Sequence, residues 1–207
     1  MKLKSLAKAL VVVLLASVIA VSVVAAENKK SILIVDMGNI MRSVIAQELI
    51  KRKLAEDGLS DNYDVSSRGI QGTPASPVVP THANLSYYNS ANGSNAWESS
   101  LPALQKLGLE EAFKKHKATV VNAADLESAI IVIVTDAKVM DDPKYGLKVQ
   151  FPGYDKKMIL ITELVGSSEG IADAYKAGTE GNKYESTVYQ VADVVERGYK
   201  TLLMRLK

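Results

Sequence analysis

Four apolar runs punctuate the chain, and the residues between them change period. Ile32-Leu33-Ile34-Val35 is a continuous, β-branched-rich run, which predicts a strand buried on both faces. Ala129–Val134, AIIVIV, reads the same way, and Met158–Leu164, MILITEL, predicts a further strand. A short strand leading into a turn is expected within Asn62–Gly72. Between these runs the period lengthens to that of a helix. From Ser43 to Glu56, Val44, Ile45, Leu49, Ile50 and Leu54 share one face, and Gly58 ends the helix. Leu101–Lys117 predicts a helical stretch, with Asn122 placed to cap the next turn. Val188, Val191, Val194, Val195, Leu202 and Leu203 give a terminal helix over Lys183–Leu206. Strands alternating with helices predict an α/β, three-layer fold: a central parallel sheet of about four strands, helices on both faces, and a site at the carboxyl ends of the strands.

Two stretches break this rhythm. Lys2, Lys4 and Lys8 precede an uncharged run, Ala9–Ala26, that ends in small residues. This is the pattern of a secretory signal over residues 1–26, cleaved after Ala26, and it predicts an exported protein, whether periplasmic, extracellular or secretory. The alternative is an uncleaved N-terminal membrane anchor, which would be the chain's one membrane contact. Residues 27–207 then form a single domain. Within it, residues 73–100 are rich in Pro, Ser, Asn, Thr and Tyr and read as a long loop insertion, either a lid or a surface excursion. Asn84-Leu85-Ser86 and Asn92-Gly93-Ser94 fit the glycosylation acceptor pattern, which has meaning in a eukaryotic host.

Composition narrows the chemistry. With 47% hydrophobic residues, 23% charged residues and a formal net charge of +2, the chain has no polyanion bias, so nucleic acid is not an expected partner. It contains no cysteine. Disulfides, thiolate metal sites and cysteine-based catalysis are thereby excluded. No metal and no cofactor is expected.

The chemistry that remains is concentrated after the first strand. A polar turn, Asp36-Met37-Gly38-Asn39, feeds a helix that carries Arg42 and Ser43, so backbone N–H groups and a helix N-terminus converge as an anion nest. Arg42 adds a fork suited to phosphate oxygens. The stretch VDMGNIMRS resembles the phosphate-binding loop of the low molecular weight protein tyrosine phosphatases, V-C-x-G-N-I-C-R-S: Gly38, Asn39, Ile40, Arg42 and Ser43 match. Asp36 stands in the place of the nucleophilic cysteine, and Met41 replaces a second cysteine common there. The resemblance implies a ligand-binding set of Met37, Gly38, Asn39, Ile40, Met41, Arg42 and Ser43.

Further matches follow in order to the C-terminus. Val65, Ser67 and Gly69 resemble the family's V-x-S-x-G strand end. The 73–100 region corresponds to the flank of the active-site mouth, where Tyr87, Tyr88 and Trp97 would supply an aromatic wall. His116 falls at a structural histidine, and Thr135-Asp136 at the family's M-D pair. Asp141-Asp142-Pro143, with Tyr145 after it, looks like the general-acid loop in composition but precedes the last strand. Chain order instead puts that loop at Ile171–Tyr175. Asp173 is then the general-acid position and Tyr175 its aromatic neighbour, with Ala174 in place of the family's proline.

Three consequences of Asp36 stay open on the sequence. It can fill the nest as an internal anion, which makes the chain a pseudophosphatase serving as a binding module. It can take up a proton and leave weak capture of a phosphate-containing ligand or phosphoprotein. Or it can attack phosphorus, making an active phosphomonoester or phosphotyrosine hydrolase with Asp36 as nucleophile and Asp173 as general acid. Whether the chain is an enzyme turns on that choice. The D-x-G-N of Asp36–Asn39 also occurs in sugar-kinase and actin-like ATPases, but there it lies in a hairpin within a two-domain chain.

Overall fold

The computed structural model describes residues 29–70, 82–92, 95–174 and 182–207. The N-terminal segment, Tyr175 and the first part of the proline-rich stretch lie outside the described residues.

The described chain runs β1 (Lys30–Asp36), α1 (Arg42–Glu56), β2 (Tyr63–Gly69), α2 (Leu85–Asn92), α3 (Ala96–Lys106), α4 (Glu110–Lys115), α5 (Ala123–Ser128), β3 (Ala129–Val134), α6 (Ala137–Asp141), α7 (Leu147–Gln150), β4 (Met158–Leu160) and α8 (Asn182–Arg205). The four strands form one parallel sheet in the order β2-β1-β3-β4. This is the α/β architecture that the alternating runs predict.

The runs are continuous because both faces of the inner strands are covered. Ile32, Ile34, Ile131 and Ile133 join a core with α1, α3 and α8. Leu33, Val35, Val132 and Val134 face the opposite way, into a second core with α5, α6 and α7. Because β1 pairs with β2 on one side and β3 on the other, the chain reverses direction across the sheet at β1. The crevice between the carboxyl ends of β1 and β3 is where such sheets place ligands. Asp36 closes β1 there, and Thr135-Asp136 follows β3.

Local signals explain the helix ends. Gly58 is left-handed (φ +69°), and Leu59 N–H donates to Leu54 O at 2.7 Å, closing α1 as a Schellman-type turn. Asn122 and Asp125 form a reciprocal capping box on α5. Asp125 also takes a two-pronged contact from Arg68 at the end of β2, at 3.2 and 2.9 Å.

Three expectations need correction. The 73–100 stretch is not wholly loop: Leu85–Asn92 is helical and the next helix begins at Ala96. Buried Leu85 and Ala96 and the packing of Trp97 against the core outweigh the weak local propensity. The Leu101–Lys117 stretch divides into α3 and α4, because Gly108 (φ +66°) turns the chain between them. Finally, MILITEL is a strand only through Leu160. Ile161–Val165 is 3-10 helix, since Glu163 Oε1 accepts from Leu160 N at 2.8 Å and Gly166 (φ +78°) ends the turn.

Gly69 matters for function as well as fold. A Cβ on Gly69 would lie 2.8 Å from Gly38 C and 3.0 Å from Asn39 N, so the turn after β1 rests directly on the end of β2. Gly69→Ala should therefore cost about 1–3 kcal/mol of stability through overpacking against backbone. The expected result is a lower urea midpoint at unchanged m-value.

Candidate functional site

The turn after β1 is folded around its own first residue. Asp36 Oδ1 accepts from Gly38 N at 3.1 Å and Asn39 N at 2.5 Å, and Oδ2 accepts from Ser43 N at 3.0 Å. The loop amides and the first turn of α1 thus converge on a carboxylate that belongs to the chain itself. Asp36 is buried, as are Asn39, Arg42 and Ser43.

Asn39 braces this arrangement. It adopts the left-handed region (φ 55°), which asparagine tolerates better than most residues. Its amide nitrogen donates to Ser43 Oγ at 3.1 Å and Ser67 Oγ at 2.8 Å, and its side-chain oxygen accepts from Thr119 N at 2.9 Å. His116 Nε2 lies 2.7 Å from Asn39 O; a carbonyl only accepts, so Nε2 carries the proton. Burial holds His116 below the ordinary histidine range despite that bond. The V-x-S-x-G signature thereby gains a physical reason: Ser67 holds Asn39 and Gly69 makes room for the turn.

Arg42 spans the crevice. Its Nη1 donates to Asp136 Oδ2 at 2.5 Å and to Ile171 O at 2.6 Å, and its Nη2 lies 3.1 Å from Asp173 Oδ2. Burial alone would depress the guanidinium, but the carboxylates of Asp173, Asp36 and Asp136 together raise its pKa. Asp136 is not among the site residues expected from the sequence, where Thr135-Asp136 stands only as a match to the family's M-D pair. Its second oxygen caps α6, accepting from Lys138 N at 2.8 Å and Val139 N at 3.1 Å, so it is held in place to face Arg42.

The structure thus brings Asp36, Arg42 and Asp173 together and adds Asp136. Two residues of the sequence-derived set contribute differently from that reading: Ile40 and Met41 bury their side chains in the core, leaving backbone alone to the loop. Tyr175 lies outside the described residues. Asp142 is a turn former, accepting from Lys144 N and Tyr145 N, and is not part of the site. A cavity of about 600 Å³ opens beside the crevice, lined by Met37, Asp136, Lys138, Glu169, Asp173 and Gln190 among others. Trp97 packs against the core, and neither it nor exposed Tyr87 lines this mouth. Among the described residues, no three His, Cys, Asp or Glu side chains are grouped to hold a metal ion.

The electrostatics follow from burial. Desolvation raises the Asp36 pKa, opposed by Arg42 and by the Ser43 and Asn39 amides, and reinforced by Asp173. Three carboxylates share one guanidinium.

This is the fold of the low molecular weight protein tyrosine phosphatases. The low molecular weight phosphotyrosine phosphatase from Vibrio cholerae O395 superposes with a TM-score of 0.63 at 17% identity, covering 84% of this chain and 97% of that one. The low molecular weight protein tyrosine phosphatase from T. tengcongensis gives 0.60 at 20%, covering 84% and 99%. A mutant of the YwlE arginine phosphatase with a phosphorylated active site serine gives 0.59 at 21%, covering 83% and 95%. No family model matches the sequence, and no curated protein matches it.

A raised Asp36 pKa has a signed consequence for stability. The folded state binds a proton more tightly than the unfolded chain, so this group's contribution is most favourable below the unfolded value of about 3.9 and is lost as pH rises through the folded pKa. Asp36→Asn lacks that dependence. Unfolding both proteins from about pH 3 to pH 8 should show the stability difference shifting toward the variant as pH rises. A difference that shifts toward wild type instead would mean that the amides and Arg42 outweigh burial.

Proposed function

We propose that this chain is an exported pseudophosphatase: a low molecular weight phosphatase scaffold whose phosphate loop is closed by its own carboxylate, acting as a binding module rather than a hydrolase. The observation that carries this reading is the set of three bonds from Gly38, Asn39 and Ser43 to Asp36. Those are the donors that a phosphoryl group in the loop would need.

Magnitudes favour the closed loop. A carboxylate about 4 Å from a bound phosphate repels it by roughly 4 kcal/mol per unit of phosphate charge at an effective dielectric of 20. One charge-assisted arginine contact returns about 1.5–3 kcal/mol. Arg42 is moreover shared with Asp136 and Asp173. Asp36 is also a weak nucleophile here: all three of its described hydrogen bonds are donated to the oxygens that would have to attack. Phosphate-containing ligands remain the class suggested by the structural neighbours, one of which carries a phosphoryl group on its active-site serine. Export rests on Lys2, Lys4 and Lys8 before the Ala9–Ala26 run. Among the described residues no helix is long and apolar enough to cross a membrane.

The hydrolase reading makes Asp36 the nucleophile and Asp173 the general acid; the approach of Asp173 to Arg42 is the observation in its favour. An aryl phosphate assay separates the two. Wild type should show no turnover above background, with or without Mg²⁺. Asp36→Cys should confer measurable hydrolysis, and adding Asp173→Ala should reduce it by ~10²–10⁴, the contribution of a general acid. Robust wild-type turnover that vanishes in Asp36→Asn would refute the pseudophosphatase reading.

A further inference from the structure

The N–H groups of Gly38, Asn39 and Ser43, preorganised anion donors at the mouth of the crevice, are occupied by Asp36. An external oxyanion reaches those three donors only by exchange with the Asp36 carboxylate. If that carboxylate left the nest still charged, it would remain buried beside Asp136, Asp173 and the incoming anion, with one guanidinium among them. If it left as the neutral acid, the lost carboxylate charge would offset one of the negative charges that the oxyanion brings. The neutral acid is also a hydrogen-bond donor, which the carboxylate is not.

A second observation bears on where the acid would go. Thr135 is fully buried, and among the described residues its hydroxyl finds no hydrogen-bond partner. Thr135 N donates to Val35 O at 3.0 Å, so Thr135 lies beside the end of β1. Side chains alternate along a strand. Ile32 and Ile34 of β1 and Ile131 and Ile133 of β3 face the same core, which puts Asp36 and Thr135 on one face at neighbouring strand ends. An unpaired buried hydroxyl is costly in this state, and such a group calls for an explanation.

We propose that the nest is a proton-gated oxyanion site: a dianionic oxyanion displaces Asp36, one proton is taken up on Asp36, and the neutral carboxyl pairs with the Thr135 hydroxyl. The inference rests on the non-catalytic reading above and supplies its regulation. The exchange is non-covalent and balanced: carboxylate in the nest, one proton and one oxyanion become carboxylic acid outside it and oxyanion inside. The charged groups that act on Asp36 are Arg42 from α1 and Asp173 before α8, and Asp136 after β3 shares Arg42 with it. His116, on the segment after α4, bonds Asn39 O and feels the Asp36 charge. The direction of the Asp36 shift agrees with this scheme, since burial already favours the protonated form.

The probe is inorganic sulfate, which stays dianionic across the pH range, so any proton taken up belongs to the protein. Calorimetric titration of the full chain, in buffers of different ionisation enthalpy between pH 5 and 8, counts that proton. Wild type should take up about one proton per sulfate above the Asp36 pKa, with affinity falling about tenfold per pH unit as pH rises. Asp36→Asn should bind sulfate with no proton uptake and a flat pH profile. Thr135→Val should leave the melting temperature of the free protein unchanged or higher. It should nonetheless weaken sulfate binding at pH 5 by about 2- to 12-fold, the fold-change of one hydrogen bond.

A proton count of zero in wild type overturns the gate, as does uptake that persists in Asp36→Asn, which would place the proton on His116, Asp136 or Asp173. Sulfate bound by neither protein at any pH overturns it too. Unchanged sulfate affinity in Thr135→Val overturns the pairing with Thr135. Aryl phosphate turnover by wild type would overturn the non-catalytic reading while leaving the proton count as measured, so the two failures are distinguishable.

Discussion

A buried carboxylate at the end of the central strand is the constraint on which the rest of this site depends. Removing a charge from water is expensive unless its oxygens are hydrogen-bonded. Asp36 meets that demand with the amides of Gly38, Asn39 and Ser43, which fixes the turn and the start of α1 around it. The same amides then have nothing left for a ligand. A loop whose geometry is that of an anion receptor is thereby filled by a residue of its own, and on the function proposed above ligand capture is a competition rather than an addition.

The fold concentrates unlike charges at this point because of its topology. The chain reverses across the sheet at β1, so the segments leaving β1 and β3 diverge and open a crevice. Arg42 crosses it, tying the loop after β1 to Asp136 after β3 and to Ile171 and Asp173 before α8. Ion pairs buried this way are weak evidence for stability, since desolvation offsets most of the attraction. Their effect here is to hold the guanidinium in one orientation. Asp136 contributes twice, capping α6 with one oxygen and meeting Arg42 with the other.

Much of this was legible in the sequence, and the parts that were not have physical reasons. Runs such as AIIVIV announce doubly covered strands, because alternation disappears when both faces are buried. MILITEL was misleading in its second half: hydrophobicity persists through Leu164, but Glu163 caps the turn at Leu160 and converts the tail to 3-10 helix. Helix in the 85–100 stretch was hidden by poor local propensity that core contacts of Leu85 and Ala96 override. The turn after β1 was visible as an anion nest, and Asp36 as its own occupant was one of three readings that residue order left open. Backbone geometry chooses among them by turning both Asp36 oxygens into the loop. Asp136 was missed as a site residue because its contact with Arg42 joins positions 94 residues apart.

The most direct test of the account is a pH titration of the Asp36 side-chain carboxyl carbon by NMR, followed together with the amide protons of Gly38, Asn39 and Ser43. An internal anion held by those three donors predicts that all four signals move with a single midpoint, which burial, outweighing the amides and Arg42, displaces above the ordinary aspartate value of about 3.9. A carboxyl carbon that titrates at the ordinary value while the three amides stay still would contradict it, and would return the loop to the role of an open receptor.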